Sequence, residues 1–293
     1  MANLKEVRIR IASVKSTQQI TSAMKMVAAS KLRKAQNAII KLRPYASKLT
    51  EMLQNLSASI EGDSDSPFAQ QREPRNILIL TLASNRGLCG AFNANVIKAT
   101  NNLIANTYGA ANKAGTLRLV TFGRKVTEYY NKRSAVYASY DHIYDNLSFE
   151  NVAPLAEELM KAFSEKEFDR IVIVYNQFKN AAVQRLISEQ FLPIQPPETT
   201  AVKQANPLDY IFEPNKEDIL NELIPKSLKI QLYKALLDSY ASEQGARMTA
   251  MHQATDNADD LLKELRLSYN KARQTAITKE ILEIVGGAEA LKA

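Results

Sequence analysis

Leu4, Val7, Ile11, Val14, Gln18, Thr21, Lys25, Ala28, Leu32, Ala35, Ile39, Leu42, Ala46, Leu49, Leu53 and Leu56 follow one another at alternating steps of three and four residues. That spacing keeps one face of an α-helix in register over the whole stretch, as in a coiled coil. Gln18, Thr21 and Lys25 alone interrupt its apolar character. A helix over residues 1–60 rises roughly 80 Å, farther than a small domain is wide, so its stripe needs a partner of comparable length. Pro44 lies inside the pattern and is expected to kink the helix without ending it, because the seam resumes at Ala46. The polar run 61–67 (EGDSDSP) reads as the linker that stops it.

The partner is expected at the other end of the chain, over residues 210–293. Ile230, Tyr233, Leu237, Tyr240, Gln244 and Arg247 keep the same step, and so do Leu262, Leu265, Tyr269, Ala272 and Ala276. Between them, residues 245–260 offer mainly alanine and methionine, which let helices approach closely but hold them weakly. Pro225 marks a kink or an early break. The middle has a different grain. Short apolar runs at 76–82 (NILILTL), 117–122 (LRLVTF) and 170–175 (RIVIVY) have strand character, with helical patterns at 92–108, 124–132 and 152–166. Strands alternating with helices imply a parallel sheet with right-handed crossovers. Residues 183–192 add a further strand, and 193–207 form a Pro-rich loop. The expected architecture is therefore α/β with long helices. An antiparallel coiled coil pairs 1–60 with 210–293, and a Rossmann-like α/β domain with a mainly parallel sheet covers 75–200.

Charge narrows the function. Residues 1–57 hold eleven Lys and Arg against Glu6 and Glu51, a net +9, while the whole chain carries +7, which leaves −2 for the remainder. So concentrated a positive charge calls for an acidic partner. A nucleic-acid-binding protein with a basic coiled-coil arm is one reading. Against it, the basic residues are not interleaved with aromatics beyond the single Tyr45, and the remainder has no positive surplus. An α/β enzyme with a helical arm is another. Its support is Ser84-Asn85-Arg86-Gly87-Leu88-Cys89-Gly90, placed after a strand and before a helix, where α/β folds hold phosphates. That loop lacks both the GxGxxG spacing and the GK[ST] ending, so a tight glycine turn is preferred. Cys89, the single cysteine, has no histidine in a context that would activate it. His142 and His252 make no metal pattern. No catalytic site, cofactor or metal is expected. No run approaches the roughly 18 apolar residues of a membrane helix, and no secretory leader or transit peptide is expected.

Four blocks then make the sequence familiar. They are Ile20–Gln36 (ITSAMKMVAASKLRKAQ), Ser84–Asn93 (SNRGLCGAFN), Ser242–Asn257 (SEQGARMTAMHQATDN), and a last helix carrying Thr278, Glu280 and Glu283 followed by Gly287-Ala288. Together, in this order, they resemble the gamma subunits of F-type ATP synthases. The resemblance implies a central stalk whose paired helices stand inside a ring of three alpha and three beta subunits. Its α/β domain would meet the epsilon subunit and the membrane c-ring. Proton flow would turn the stalk and drive the beta-subunit sites in sequence. It implies no nucleic-acid partner, membrane contact only through other subunits, and a peripheral position on the cytoplasmic face of a bacterial inner membrane.

Residue roles follow by the same resemblance. Arg273, Gln274, Thr278 and Glu280 match positions that meet a beta-subunit loop. Arg8, Arg10, Lys25, Lys31, Arg33 and Lys34 would face acidic lever segments of the beta subunits, although the family's charge does not carry over at Lys25. Ile281, Ile284, Val285 and Leu291 would form a tip turning in an apolar bearing. The regulatory cysteine pair of plastid relatives is missing, so thiol control is not expected.

Overall fold

The computed structural model describes residues 4–58, 67–133, 136–194 and 216–290. Residues 61–66 of the expected linker, most of the loop at 193–207, and Leu291 lie outside them.

β1 (Ile77–Leu82) has every residue buried, as a continuous apolar run predicts for a strand covered on both faces. It sits at the centre of a five-stranded sheet ordered β3-β2-β1-β4-β5. β2 (Leu117–Phe122) and β4 (Arg170–Phe178) flank it in parallel, and β3 (Val136–Ser139) adds a parallel strand beyond β2. β5 (Gln184–Leu192) runs antiparallel to β4. The five residues between these last strands are too few for a crossover, so they make a hairpin. Asn180 Oδ1 accepts the backbone N–H groups of Ala182 and Val183 there, at 3.0 and 2.7 Å.

Alternate residues of β1 enter two cores. Ile77 and Ile79 pack with Val96 and Ile104 of α2 (Phe92–Asn106) and with Val126 and Tyr130 of α4 (Arg124–Tyr130). The short α3 (Gly109–Lys113) adds Ala111 on that side. Leu78, Leu80 and Leu82 pack on the other face with Val152, Leu159 and Phe163 of α5 (Phe149–Ser164). Ser148 caps α5 by accepting from the Asn151 N–H. Gly123, at φ +104°, starts α4; a Cβ there would lie 2.3 Å from the Ala83 carbonyl oxygen, so the β1–β2 contact at this point admits only glycine.

The long helices are α1 (Leu4–Ala58) and α6 (Lys216–Ala290). Pro44 and Pro225 both lie inside them, so the helix does not end at Pro225. The chain divides into two compact units, Met1–Ala28 with Met248–Ala293, and Ala29–Arg247. Both long helices contribute to each.

In the unit containing the chain ends, the contacts run antiparallel. Arg8 Nη2 donates to Tyr269 Oη at 2.8 Å, Gln18 Nε2 donates to Asp259 Oδ1, and the Thr21 and Thr255 hydroxyls meet at 2.9 Å. Every seam position of α1 from Leu4 to Leu49 is buried or half-buried. Gln18 and Thr21, which interrupt the apolar pattern, are therefore paired across the seam rather than gaps in it. The weak hold expected of the Ala/Met stretch is supplemented by these polar steps.

In the sheet-bearing unit, α6 departs from a one-sided amphipathic helix. Leu228, Leu232 and Leu236 join the sheet core, while Ile230, Leu237, Ala241 and Gln244 on other sides are buried too. The polar residues Asp238, Ser239, Ser242 and Glu243 are buried with them.

Candidate functional site

No side-chain constellation with nucleophile, base and acid emerges among the described residues; the functional candidates are surfaces and one buried polar junction. The C-terminal candidates lie within about two turns of α6. At about 100° per residue, Arg273 and Glu280 flank the seam line of Tyr269, Ala272 and Ala276, while Gln274 and Thr278 lie on the opposite side. All four are exposed. The Thr278 hydroxyl donates to the Gln274 carbonyl at 2.9 Å, a bond within the helix that leaves its oxygen free to accept again. The contacts pairing 8 with 269 and 18 with 259 put Leu4 opposite residue 273. From Ile277 to Ala288 every residue is exposed. Leu282 is 65% exposed and Ile284 71%, with Ile277, Ile281 and Val285 bare beside them.

The basic candidates do not form one group. Arg8, Arg10 and Lys25 belong to the unit with the chain ends, and Lys31, Arg33 and Lys34 to the sheet-bearing unit. Three of them have internal roles that sequence reasoning missed. Arg8 is tied to Tyr269, whose ring lies 5.8 Å from the guanidinium carbon, and that hydrogen bond holds the Arg8 pKa above its ordinary value. Lys25 is half-buried on the seam. Lys31 acts electrostatically on the buried Glu243, favouring its charged form. Arg10, Arg33 and Lys34 are exposed.

The Ser84–Gly90 loop is a tight turn pinned from beneath. Asn93 Oδ1 accepts from the Ser84 backbone N–H and hydroxyl at 3.0 and 2.9 Å, and Asn93 Nδ2 donates to Cys89 Sγ at 3.3 Å. Leu88 and Gly90 take φ of 62° and 59° to complete the turn. Asn85 Nδ2 donates to the Asp141 carbonyl, and Asn85 Oδ1 accepts the Arg124 N–H. Cys89 is buried, and burial raises its thiol pKa against the opposing hydrogen bond with Ser84. A thiol held in its protonated form is a poor nucleophile. A phosphate loop offers N–H groups; this one turns the carbonyl oxygens of Arg86 and Gly87 to the Arg247 guanidinium, at 3.0 and 3.3 Å. Arg247 also pairs with Glu243, one helical turn before it. Burial pushes the Glu243 carboxyl above its ordinary pKa, and Arg247 works against that shift. The block containing Glu243 and Arg247 was visible in the sequence, but no pattern there joined it to the loop.

Among the described residues no helix is long and apolar enough to cross a membrane, and no group of three His, Cys, Asp or Glu is placed to hold a metal.

A family model described as ATP synthase matches residues 3–291. The chain is 57% identical over 291 residues to an ATP synthase gamma chain of Christiangramia forsetii, covering 99% of each. It is 56% identical over 291 residues to that of Flavobacterium johnsoniae, again covering 99% of each. Among solved structures it resembles a chain of the Euglena gracilis mitochondrial ATP synthase rotor. There the TM-score is 0.67 at 21% identity, with 94% of this chain and 98% of that one covered. At that identity the likeness is one of fold.

Proposed function

Because the chain belongs to the family of ATP synthase gamma chains, we propose that it is the rotating central stalk of a proton-translocating ATP synthase. In this reading three alpha and three beta subunits surround the paired helices, and the α/β domain meets the epsilon subunit and the membrane c-ring. Turning the stalk presents different faces to the three beta subunits in sequence. The coupling is a free-energy linkage between rotor angle and site conformation, so it drives synthesis or hydrolysis according to which side holds the larger gradient. The chain supplies no catalytic group; nucleotide chemistry belongs to the beta subunits. Its place is the cytoplasmic face of a bacterial inner membrane, reached through its partners.

The observation that carries this is the bare end of α6. A helix that exposes Ile281, Leu282, Ile284 and Val285 beyond its paired seam needs a surrounding apolar surface, and a collar formed by a ring of subunits provides one without fixing the rotor's angle. Arg273, Gln274, Thr278 and Glu280, exposed over two turns of α6, make polar contacts with a beta-subunit loop that form and break with rotation. Arg10, Arg33 and Lys34, exposed on α1, face acidic segments of the beta subunits. Arg8, Lys25 and Lys31 combine that role with contacts inside the chain. The nucleic-acid alternative is disfavoured, because only one aromatic, Tyr45, lies among the basic residues and the rest of the chain has no positive surplus.

Purification of the tagged chain from its native membrane tests this. Recovery with alpha, beta and epsilon subunits in a three-to-three-to-one-to-one ratio, together with c-ring, is the expected result. Recovery alone, or with nucleic acid that salt removes, overturns it.

A further inference from the structure

The carboxyl ends of β1 and β4 border the point where strand order reverses, the place where doubly wound sheets usually bind a ligand. Here α6 reaches that edge of the sheet itself. Ser242 Oγ donates to the Asn176 carbonyl of β4 at 2.9 Å. Gly245 lies against the backbone of Ala181 in the β4–β5 turn, so close that a Cβ would sit 3.2 Å from its oxygen. Arg247 then forks: Nη1 bonds Glu243, and Nη2 bonds the carbonyls of Arg86 and Gly87 in the loop after β1. Three elements around the crevice are thus held by one short stretch of α6.

Earlier along the helix the contacts are mixed. Leu228, Leu232, Ala235 and Leu236 meet the sheet through apolar side chains, which resist separation but are non-directional, while Lys229 pairs with Glu157 and Gln231 donates to Glu189 and to the Gln190 carbonyl. Hydrogen bonds from a planar guanidinium fix both distance and angle. To that seat the forked guanidinium adds a tie to the loop after β1, fixed in direction as well as distance.

Resting on the central-stalk reading, we propose that Arg247, held by Glu243, is the latch through which the α/β domain grips α6, so that torque applied to the domain passes into the helix without slipping. Arg247 is a positioning residue and touches no nucleotide. Glu243 keeps the guanidinium aimed, and the loop carbonyls receive it.

Cys89 supplies a direct readout. It is the single cysteine of the chain and 1% exposed, and it lies within the loop that Arg247 ties down. In the assembled complex, modification of Cys89 by N-ethylmaleimide, followed by mass spectrometry of its peptide, reports opening of the loop. Arg247→Ala is expected to raise that rate roughly tenfold or more, since it removes charge-assisted bonds to two carbonyls. It is also expected to lower the protons pumped per ATP hydrolysed in inverted vesicles. Arg247→Lys keeps the charge without the fork, serves if the alanine variant does not assemble, and is expected to fall between the two. An unchanged Cys89 rate overturns the latch and leaves the stalk reading intact. A raised rate with an unchanged pumping ratio overturns the torque role. A wild-type chain that does not co-purify with alpha and beta subunits overturns the stalk reading instead.

Discussion

Replacing Asp238 by asparagine removes a buried charge from the middle of α6. Asp238 is 3% exposed. Burial is the largest influence on it and pushes its pKa from 3.8 up to about 6, with Glu189 adding to the shift. Lys234, Arg43 and the Phe178 backbone N–H oppose it. The sign follows from comparing the two states. Below about pH 4 the carboxyl is protonated whether the chain is folded or not, and it imposes no electrostatic penalty. As pH rises from about 4 to 6 the unfolded chain loses this proton while the folded chain keeps it, so stability falls. Above about pH 6 both forms are ionised and the full penalty remains. At 1.36 kcal/mol per pKa unit, it amounts to about 3 kcal/mol. An asparagine side chain at this position would keep an acceptor for the Phe178 N–H and lose the charge. In urea denaturation of the purified chain, Asp238→Asn should therefore be more stable than wild type by about 3 kcal/mol at pH 7.5, and by almost nothing at pH 4. An equal difference at both pH values, or a less stable variant at pH 7.5, refutes the reasoning. It would mean that Lys234 and Arg43 hold the carboxylate more strongly than burial opposes it.

Other substitutions address other joints. Gly123→Ala puts a Cβ 2.3 Å from the Ala83 carbonyl oxygen at positive φ, and should cost about 3 kcal/mol or more, seen as a lowered thermal midpoint; a change below about 0.5 kcal/mol contradicts the close approach. Thr21→Val should cost about 1 kcal/mol by leaving Thr255 short of one partner, whereas Thr21→Val with Thr255→Val together should cost less than the sum. Strict additivity in that double-mutant cycle would show that the hydroxyls do not interact. Ile284→Lys should leave the stability of the isolated chain within about 0.5 kcal/mol, because its side chain is 71% exposed, yet reduce incorporation into the complex. Normal incorporation and ATP-driven pumping would rule out an apolar bearing at that position.

The heptad seam was almost wholly legible, because a stripe that must be covered over many turns leaves a period no local feature can imitate. Each seam position from Leu4 to Leu49 is at least half-buried. The parallel strands were legible for a related reason: Ile77–Leu82 is apolar on both faces, as only a covered strand can be. β3 was missed because its four residues alternate between half-buried and exposed and carry no strong pattern. The antiparallel direction of β5 had a signal that went unused, namely a gap before Gln184 too short for any crossover. The polar grip of α6 had none. Arg247 meets Arg86 across a sequence separation of 161 residues, and periodicity reports which face a residue occupies, not which distant loop lies against it. In the same way, Gln18 and Thr21 read as defects in a seam until Asp259 and Thr255 appeared opposite them. The C-terminal cluster was legible as a set only through family resemblance. Its exposure, and the bare apolar stretch after it, are what the structure adds.

Rotation itself is the sharpest test of the stalk. Lys113→Cys introduces an exposed thiol on the α/β domain, while Cys89 stays buried and does not compete for the label. With the beta subunits anchored to a surface and a visible probe on the introduced thiol, addition of ATP should turn the probe in one direction with three pauses per revolution. A complex that hydrolyses ATP at its normal rate while the probe stays still, or wanders without a preferred direction, would show that this chain is not the rotor.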